Sequence, residues 1–340
     1  MRLLITGGCG FLGAHIVEHI LKSMSDDTEI VVLDKMTYAS SGYDRLRDIG
    51  RSIPMGLPAR VHVLGCDLSQ PIPAGVAREI GHVDYVIHAA AETHVDRSIE
   101  DPVPFLKTNV LGTHHLLWWA RGQKNLKRIL CVSTDEVYGP VGWDDPGNVE
   151  TDAIRPANPY AAAKAGGEAL CMAYSNTYRL PITIVTTMNL VGERQHPEKF
   201  VPMVIRKALA GETVLIHADP TRTRSGSRYY IHARNYASAL QFLINRVENK
   251  GSLPIKLHVS GERELSNLDM ASVIADSVGK HLYYELVDFH SSRPGHDLRY
   301  ALDDSAIRAM GWTQPVTFFE SLDKTVRWYL GNRQWLGPEQ

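Results

Sequence analysis

A glycine-rich turn near the amino terminus constrains the fold of this chain more than any other feature. Gly7, Gly10 and Gly13 follow a short apolar run, Arg2–Thr6, and precede a helical pattern that begins at Leu12. Gly7 permits a tight turn, Gly10 lets the backbone approach a pyrophosphate, and Gly13 lets the helix pack closely on the strand. The helix then points its N-terminal end at the phosphates. Glycine-rich segments are often simple turns. Here a predicted strand precedes the glycines and a predicted helix follows them, and this context predicts a dinucleotide site.

Short apolar runs alternate with helical patterns through the first half of the chain. The runs are rich in Val and Ile and continuous, as expected of parallel strands buried on both faces. The predicted strands are Arg2–Thr6, Ile30–Asp34, Val61–Gly65, Asp84–His88, Arg128–Val132 and Ile182–Thr186, and the clearest predicted helices are Leu12–Lys22, Pro104–Arg121 and Pro159–Tyr178. Repeated β–α units predict an α/β fold, a Rossmann-type doubly wound parallel sheet with helices on both faces.

The pattern changes after Asn189. Gly192–His232 is rich in proline and glycine and is predicted to be mostly loop, whereas a helix, Ala233–Val247, and a strand, Lys256–Val259, return to the main sheet. The tail is predicted to form short helices, loops and one strand, Leu282–Val287. We expect a smaller C-terminal domain that caps the ligand crevice. The predicted boundaries are 1–190 with 228–260 for the dinucleotide-binding domain, and 191–227 with 261–340 for the smaller, substrate-binding domain.

Composition excludes several classes of function. The chain has 340 residues and a formal net charge of −2, so it lacks the basic field that nucleic acid binding requires. Its four cysteines form no C-x-x-C pair, which predicts neither a zinc site nor a disulfide framework. No segment approaches the ~18 apolar residues of a membrane span, and Leu3–Ile5 is shorter than a signal-peptide core. We expect a cytoplasmic protein without a metal, a nucleic acid partner or a membrane partner.

Residues after the second, third and fourth strands are candidates for the rest of the dinucleotide site. Asp34 ends the second strand, where a carboxylate accepts hydrogen bonds from ribose hydroxyls and repels a 2′-phosphate, so NAD is favoured over NADP. The adjacent Lys35 would soften that preference. The alternative for Asp34 is an ordinary turn residue. Asp67 is a weaker candidate for the adenine, and the small residues Ala89–Ala91 would let the cofactor lie flat against the sheet edge.

The segment 158–164 carries a possible redox pair. Asn158 is a good N-cap and Pro159 a good first helical residue, which puts Tyr160 and Lys164 on one helix face. A nearby ammonium and a positively charged nicotinamide both favour phenolate, so Tyr160 would take a proton from an alcohol as hydride leaves. An isolated pair of this kind is usually a solvated helix face. With the glycine turn upstream, it predicts redox catalysis.

Polar residues follow the fifth strand, at the edge where ligands of open α/β sheets bind. Ser133 and Thr134 are followed by two adjacent carboxylates, Asp135 and Glu136. Thr134 would hydrogen-bond the reacting hydroxyl. Adjacency can separate the two carboxyl pKa values into those of an acid and a base. The alternative is that the carboxylates merely cap the next turn.

Taken together, these motifs resemble the extended short-chain dehydrogenase/reductase superfamily, and more closely its nucleotide-sugar 4,6-dehydratases of the dTDP-glucose type. The resemblance covers nearly the whole chain. It is carried by Thr6–Gly13, Asp34–Ala39, His88–Ile99, Thr108–Val110, Ser133–Gly139, Tyr160 with Lys164, Pro197–Lys199 and Arg293–Asp297. The Thr-Asp-Glu triplet distinguishes the 4,6-dehydratases from related epimerases and decarboxylases, which lack the Asp–Glu pair.

The resemblance implies a reaction as well as a fold. Tyr160 would deprotonate the hydroxyl on sugar carbon 4 while hydride passes to NAD. Glu136 would then remove the proton on carbon 5, and Asp135 would protonate the departing hydroxyl on carbon 6. Hydride would return to carbon 6, which leaves a 4-keto-6-deoxy sugar nucleotide and regenerated NAD.

The resemblance also implies a set of site residues and a homodimer built on the helices Pro104–Arg121 and Pro159–Tyr178. The implied catalytic residues are Thr134, Asp135, Glu136, Tyr160 and Lys164. The implied cofactor-binding residues are Gly7, Gly10, Phe11, Leu12, Gly13, Asp34, Lys35, Thr37, Asp67, Leu68, Ala89, Ala90, Ala91, Asn109, Ser133, Tyr160 and Lys164. The implied substrate-binding residues are Thr93, Asn189, Glu198, Lys199, Arg228, Arg293 and His296, with the two arginines gripping the pyrophosphate.

Departures from the family pattern lie in the half that would bind the nucleotide sugar. Leu190 follows Asn189 where the family has a second Asn, His217–Ser227 is longer than usual, and Asn235 replaces an Asp. These departures leave the nucleotide base and the sugar open.

Three alternatives to a dehydratase remain at this stage. A 4-epimerase or a decarboxylase on the same scaffold is disfavoured by Asp135. A non-catalytic NAD-binding protein would be expected to lose Tyr160, Lys164 or the carboxylates. A simple alcohol dehydrogenase would release NADH.

Overall fold

A parallel β-sheet forms the centre of the molecule in the computed structural model, which describes residues 1–37, 40–53, 60–288 and 298–337. Its strands are β1 (Arg2–Thr6), β2 (Glu29–Asp34), β3 (Val61–Gly65), β4 (Tyr85–His88), β5 (Arg128–Thr134), β6 (Ile182–Thr187) and, much later in the chain, β11 (Lys256–Val259). Their order across the sheet is β3-β2-β1-β4-β5-β6-β11. The predicted return of 256–259 to the sheet is confirmed, because β11 pairs with β6.

The direction of the strands locates the ligand crevice. Every pairing in this sheet is parallel, so the carboxyl ends of the strands share one edge, where Thr6 pairs with His88 and Thr134 with Thr187. Strand order reverses between β1 and β4. Open α/β sheets bind ligands outside the carboxyl ends at such a reversal.

Helices cover both faces of the sheet and form the C-terminal part of the molecule. They are α1 (Phe11–Ser23), α2 (Asp44–Gly50), α3 (Ala74–Ile80), α4 (Val95–Glu100), α5 (Val103–Phe105), α6 (Gly112–Ala120), α7 (Pro159–Tyr178), α8 (Phe200–Ala210), α9 (Ala233–Glu248), α10 (Asn267–Val278), α11 (Ser305–Ala309) and α12 (Phe318–Gly331). On one face α1 and α9 bury Ile20 and Tyr236 against the sheet. On the other, α6 and α7 bury Leu116 and Cys171. The predicted doubly wound fold is therefore confirmed.

The C-terminal part has a hydrophobic core of its own. Helices α8, α10 and α12 contribute Val204, Ile274 and Phe318 to it. Around these helices lie the short strands β7 (Leu190–Val191), β8 (Val214–Ala218), β9 (Ser227–Tyr229), β10 (Ile231–His232), β12 (Glu264–Ser266) and β13 (Tyr284–Asp288). They pair as β7 with β10, β8 with β13, and β9 with β12.

The prediction of a loop-rich segment at 192–232 is wrong, because α8 and three short strands occupy much of it. Pro202 lies in the first turn of α8, where a proline costs no helical hydrogen bond. Gly211 ends the same helix with φ +69°, the left-handed cap position that glycine favours. The proline and glycine thus mark the ends of a helix. The tail likewise contains longer helices than predicted, α10 and α12.

The predicted helix Pro104–Arg121 is interrupted. Leu106–Leu111, between α5 and α6, forms a π-helical segment. Within it the Asn109 amide bonds both the backbone N–H and the carbonyl of Glu92. Apolar spacing does not distinguish a π turn from an α turn, so the sequence pattern carries no sign of the interruption.

The described helices include none that is both long enough and apolar enough to cross a membrane.

Candidate active site

A cavity of about 480 Å³ opens at the carboxyl edge of the sheet and reaches into the C-terminal part. Its size lies in the range that binds cofactors and small substrates. Most of the predicted site residues line it: Gly7, Gly10, Phe11, Leu12, Gly13, Asp34, Lys35, Thr37, Ala89, Ala90, Ala91, Thr93, Ser133, Thr134, Asp135, Glu136, Tyr160, Lys164, Asn189, Glu198, Lys199 and Arg228.

Five predicted residues are not in that lining. Asp67 lies in an adjacent side pocket, where its carboxylate pairs with the Lys35 ammonium at 3.0 Å. Leu68 is buried in the core beside α6, and Asn109 is engaged with the backbone of Glu92. Arg293 and His296 lie outside the described residues.

The glycine turn leaves room for a ligand close to the backbone. A β-carbon on Gly13 would lie 2.0 Å from the Gly7 carbonyl oxygen, so only glycine fits there. A β-carbon on Gly7 would lie 2.8 Å from Ala90, and Gly7 itself has φ +72°. Gly10 caps α1 without a side-chain hydrogen bond, so the first backbone N–H groups of the helix face the cavity edge. This is the geometry that a pyrophosphate requires.

Asp34 completes the cofactor wall. Its carboxylate accepts hydrogen bonds from the backbone N–H groups of Cys9, at 2.9 Å, and Met36, at 2.7 Å. These bonds hold the carboxylate between the glycine turn and the segment after β2. A carboxylate oxygen accepts more than one hydrogen bond, so Asp34 retains capacity for ribose hydroxyls. The glycine turn and Asp34 therefore fit an NAD molecule.

Two carboxyls at the end of β5 form the acid–base turn, which we define as Thr134–Glu136. Thr134 donates to Asp135 Oδ1 at 2.9 Å, and Asn158 Nδ2 donates to Glu136 Oε2 at 3.0 Å. Asp135 Oδ2 is buried and has no hydrogen-bond partner among the described residues. Such an orphaned oxygen is costly unless a ligand group meets it.

Burial sets the proton affinity of both carboxyls. Loss of solvation raises the pKa of Asp135 to about 6. Loss of solvation, reinforced by the charge of Asp135, raises the pKa of Glu136 to about 7. Near neutral pH one carboxyl can therefore hold a proton while the other is ionised, which is the condition for paired acid–base work. In the protein alone Glu136 holds that proton more tightly than Asp135 does. The roles that the resemblance implies, Asp135 as acid and Glu136 as base, therefore require that a bound substrate reverse this order.

The Tyr160 phenol faces the same turn from the start of α7. Burial and the charge of Glu136 raise the pKa of Tyr160 well above its usual value, and a hydrogen bond with Thr134 opposes them. Lys164 Nζ donates to the Val132 carbonyl at 2.7 Å. In the protein alone Tyr160 is thus a neutral phenol. Lys164 is not among the groups that lower the pKa of Tyr160, so the predicted help from its ammonium is not seen in the protein alone. A bound nicotinamide would supply the positive charge that favours the phenolate.

Several lining residues escaped the sequence analysis. Thr187 and Gln195 each present a buried oxygen, Oγ1 and Oε1, without a hydrogen-bond partner among the described residues. The register of β6 could have indicated Thr187, which ends its strand beside Thr134. Glu92 and His94 also line the cavity and lie within the motif His88–Ile99, although no role was predicted for them. No sequence signal indicates a further set of lining residues: Ser40, Arg45, Met188, His196, Tyr230 and Tyr300. Over the described part of the chain, no cluster of three or more His, Cys, Asp or Glu side chains could hold a metal ion.

Known proteins share both the sequence and the fold. The model of the NAD dependent epimerase/dehydratase family matches residues 3–255. The dTDP-glucose 4,6-dehydratase of Salmonella typhimurium is 36% identical to this chain, with 99% of this chain and 94% of the relative aligned.

Solved structures extend the comparison. The dTDP-glucose 4,6-dehydratase DesIV of Streptomyces venezuelae, with NAD and TYD bound, superposes with a TM-score of 0.84 at 36% identity and covers 99% of both chains. UDP-glucose 4-epimerase of Thermus thermophilus, in complex with NAD, has a TM-score of 0.81 at 28% identity, covering 97% of this chain and 99% of that one. On these matches, the chain belongs to the NAD dependent epimerase/dehydratase family and, within it, to the nucleotide-sugar 4,6-dehydratases.

Proposed function

We propose that this chain converts a nucleoside diphosphate hexose of the dTDP-glucose type to its 4-keto-6-deoxy derivative, with loss of one water and no net change in NAD. One observation carries the proposal: two adjacent carboxyls, the buried Asp135 and the partly buried Glu136, share a cavity with the buried Tyr160. A 4,6-dehydration needs a base at carbon 4, a base at carbon 5 and an acid at the hydroxyl of carbon 6. We assign Tyr160, Glu136 and Asp135 to these tasks.

NAD is the cofactor, and the cavity wall formed by the glycine turn and Asp34 fits it. We assign the pyrophosphate to the backbone at Gly10 and the adenosine ribose to Asp34. When bound, NAD would supply the acceptor for a hydride from carbon 4 of the sugar and the donor of that hydride to carbon 6.

The side chains move the protons. Tyr160 takes the proton of the hydroxyl on carbon 4, which Thr134 holds. The ketone acidifies carbon 5, Glu136 removes that proton, and Asp135 protonates the hydroxyl on carbon 6 so that water leaves. Glu136 then returns its proton to carbon 5. Tyr160 ends with one extra proton and Asp135 with one fewer, and Thr134, hydrogen-bonded to both, offers a direct path for restoring the balance.

A 4-epimerase or a decarboxylase is the nearest alternative, because known epimerases share the fold. An epimerase needs a base at carbon 4 but no acid for a leaving hydroxyl. The buried Asp135, with its raised pKa and its oxygen free for a ligand, favours the dehydratase.

The direct test is to incubate the purified protein with dTDP-, UDP-, CDP- and GDP-hexoses and to follow the products by mass spectrometry. Loss of one water from a substrate, without net formation of reduced cofactor, would support the proposal and identify the nucleotide base of the substrate. Isomers of unchanged mass would move the assignment to an epimerase. Net accumulation of reduced cofactor with a stable ketone would indicate a simple dehydrogenase.

We assign residues 1–190 with 228–260 to NAD, and 191–227 with 261–340 to the nucleotide sugar. The position of Glu198 and Lys199 in the cavity lining supports this division, and Asn189 and Arg228 line the cavity from the two boundaries of the NAD-binding segments. We also propose a cytoplasmic location, because all four cysteines are free thiols. Fractionation of cells that produce the protein, with immunodetection, would test the location.

We further propose a homodimer formed through helices α5 to α7. Large apolar side chains are exposed along this surface, among them Leu106, Leu111, Trp118 and Tyr178. An apolar patch of this kind marks an interaction site.

Sedimentation of the double variant Leu111→Glu with Trp118→Glu tests the homodimer. We expect a monomer, whereas Leu215→Glu, at a similarly exposed leucine on β8, should sediment as the wild type does. A wild-type protein that sediments as a monomer would contradict the proposal.

A further inference from the structure

Two buried arginines join the loop Gly192–Gln195 to the dinucleotide-binding part. Arg45, on α2, is 1% exposed and lines the cavity, and Arg194 is 7% exposed. Each reaches from its own part of the molecule into the other. We call Arg45 and Arg194, with the groups that they bond, the arginine clasp.

Arg45 ties three backbone segments together. Its Nε donates to the Arg194 carbonyl at 2.8 Å, and its Nη1 donates to the Ser40 carbonyl at 2.7 Å. The same Nη1 lies 3.4 Å from the carbonyl of Cys9 in the glycine turn. One guanidinium thus holds the glycine turn, the segment after β2 and the loop after β7 in fixed positions, which suits its rigid fork of donors.

Arg194 makes the reverse connection. Its Nε donates to Asp48 on α2 at 2.6 Å, and its Nη1 donates to Glu18 on α1 at 3.3 Å. Its backbone is left-handed, with φ +65°, which is unfavourable for a residue with a side chain. Such a conformation persists only where surrounding contacts over-determine it, and the two ion pairs are contacts of that kind.

The clasp joins two stretches of the cavity lining. Ser40 and Arg45 line the cavity from the segment after β2, whereas Leu190, Val191 and Gln195, on either side of Arg194, line it from β7 and the loop that follows. Both stretches line the cavity in which we place NAD, and drawing them apart would break buried, charge-assisted hydrogen bonds.

We infer that Arg45 and Arg194 are positioning residues that retain NAD through the catalytic cycle. The inference rests on the proposed function, because a reaction that returns its hydride to the same sugar requires that the cofactor stay in place.

The rate of NAD dissociation tests the inference without any substrate. Protein loaded with radiolabelled NAD is chased with excess unlabelled NAD, for the wild type and for Arg194→Gln, Arg45→Gln and Asp48→Asn. We expect the two arginine variants to release NAD roughly 10- to 100-fold faster, as loss of charged hydrogen bonds implies. Asp48→Asn, which keeps both arginines and adds no cavity, should release it faster by a smaller factor.

Arg60→Gln is the matched control. Arg60 is also 7% exposed and donates to the backbone carbonyls of Thr28, Leu21 and Ser25, but it does not line the cavity. Its substitution should leave the release rate unchanged.

Two results would overturn the inference. One is release from folded Arg194→Gln and Asp48→Asn within about twofold of the wild-type rate. The other is equal acceleration by Arg60→Gln, which would show a general loss of stability. A wild-type protein that bound no NAD would instead overturn the cofactor assignment and the proposed function with it.

Discussion

The cofactor side of the cavity, at Gly7–Gly13, and its reaction side, at the acid–base turn and Tyr160, are built from different chemistry. The cofactor side presents backbone groups and has no room for side-chain atoms at Gly7 and Gly13. The reaction side offers buried titratable groups with raised pKa values. The first should therefore be sensitive to added volume and indifferent to pH, and the second should be the reverse.

The two sides also differ in what they do to stability. Close packing at the glycine turn favours the folded state. The buried carboxyls oppose it wherever they must ionise, because the folded protein stabilises their neutral forms. The comparison predicts that substitutions on one side disturb binding and folding together, while substitutions on the other can remove activity and add stability.

The largest expected effect is on the reaction side, from Tyr160→Phe. Without the phenol no group takes the proton from the hydroxyl on carbon 4, so turnover should fall by roughly 10³- to 10⁴-fold. NAD affinity, measured by titration calorimetry, should stay near the wild-type value. Tyr236→Phe is the control, since Tyr236 is also buried and does not line the cavity. If Tyr160→Phe lost NAD affinity and turnover to a comparable extent, the proposed difference between the cofactor side and the reaction side would be wrong.

The double variant Asp135→Asn with Glu136→Gln should separate oxidation from dehydration. Tyr160 remains, so the absorbance of reduced nicotinamide should appear and persist, while water loss slows by roughly 10²- to 10³-fold. Rapid-mixing absorbance and mass spectrometry of the sugar would follow the two steps. Asp26→Asn with Asp27→Asn, an exposed adjacent pair, is the control. Dehydration at the wild-type rate would show that the assigned roles are wrong.

On the cofactor side, Gly13→Ala should weaken NAD binding by roughly 100-fold, because overpacking costs about 1–3 kcal/mol and here the clash is with backbone atoms. Gly75→Ala, in α3, meets nothing within 4 Å and should stabilise the helix by about 1 kcal/mol. Calorimetric titration and thermal unfolding would measure both. If Gly13→Ala bound NAD as tightly as the wild type, the steric account of the turn would be wrong.

The smallest expected effect is a gain in stability from Glu136→Gln. The raised pKa means that the folded protein binds more protons than the unfolded chain between pH 4.5 and about 7. The free energy of unfolding therefore falls as pH rises through that window. Protonation of Glu136 contributes its full stabilisation of the folded protein only below pH 4.5. At about pH 8 the variant should be more stable than the wild type by roughly 1–3 kcal/mol, and at about pH 4 by almost nothing.

Urea unfolding at the two pH values would measure the difference. Glu212→Gln, at an exposed position, should show no such dependence on pH. A gain that is equal at both pH values would indicate repacking instead of relief from a buried charge.

Prediction from the sequence succeeded where a pattern is local. The strands β1, β3 and β11 and the helix α7 have the predicted limits, because apolar runs, an N-cap and a proline in the first helical turn act over a few residues. It failed at 192–232, because Pro202 and Gly211 mark the two ends of a helix there and were interpreted as signs of a loop. It also missed Arg45, since a buried arginine on a short helix has no distinguishing neighbours in sequence.

The sequence by itself determined the dinucleotide turn, the strands of the central sheet and the candidates for the acid–base residues, because each depends on residue types at short spacing. Only the tertiary structure decided that the pKa values of Asp135, Glu136 and Tyr160 are raised, and that Arg45 contacts Arg194. The burial that raises these pKa values arises only when the chain has folded around the site. The same holds for the contact between Arg45 and Arg194, which are 149 residues apart in sequence.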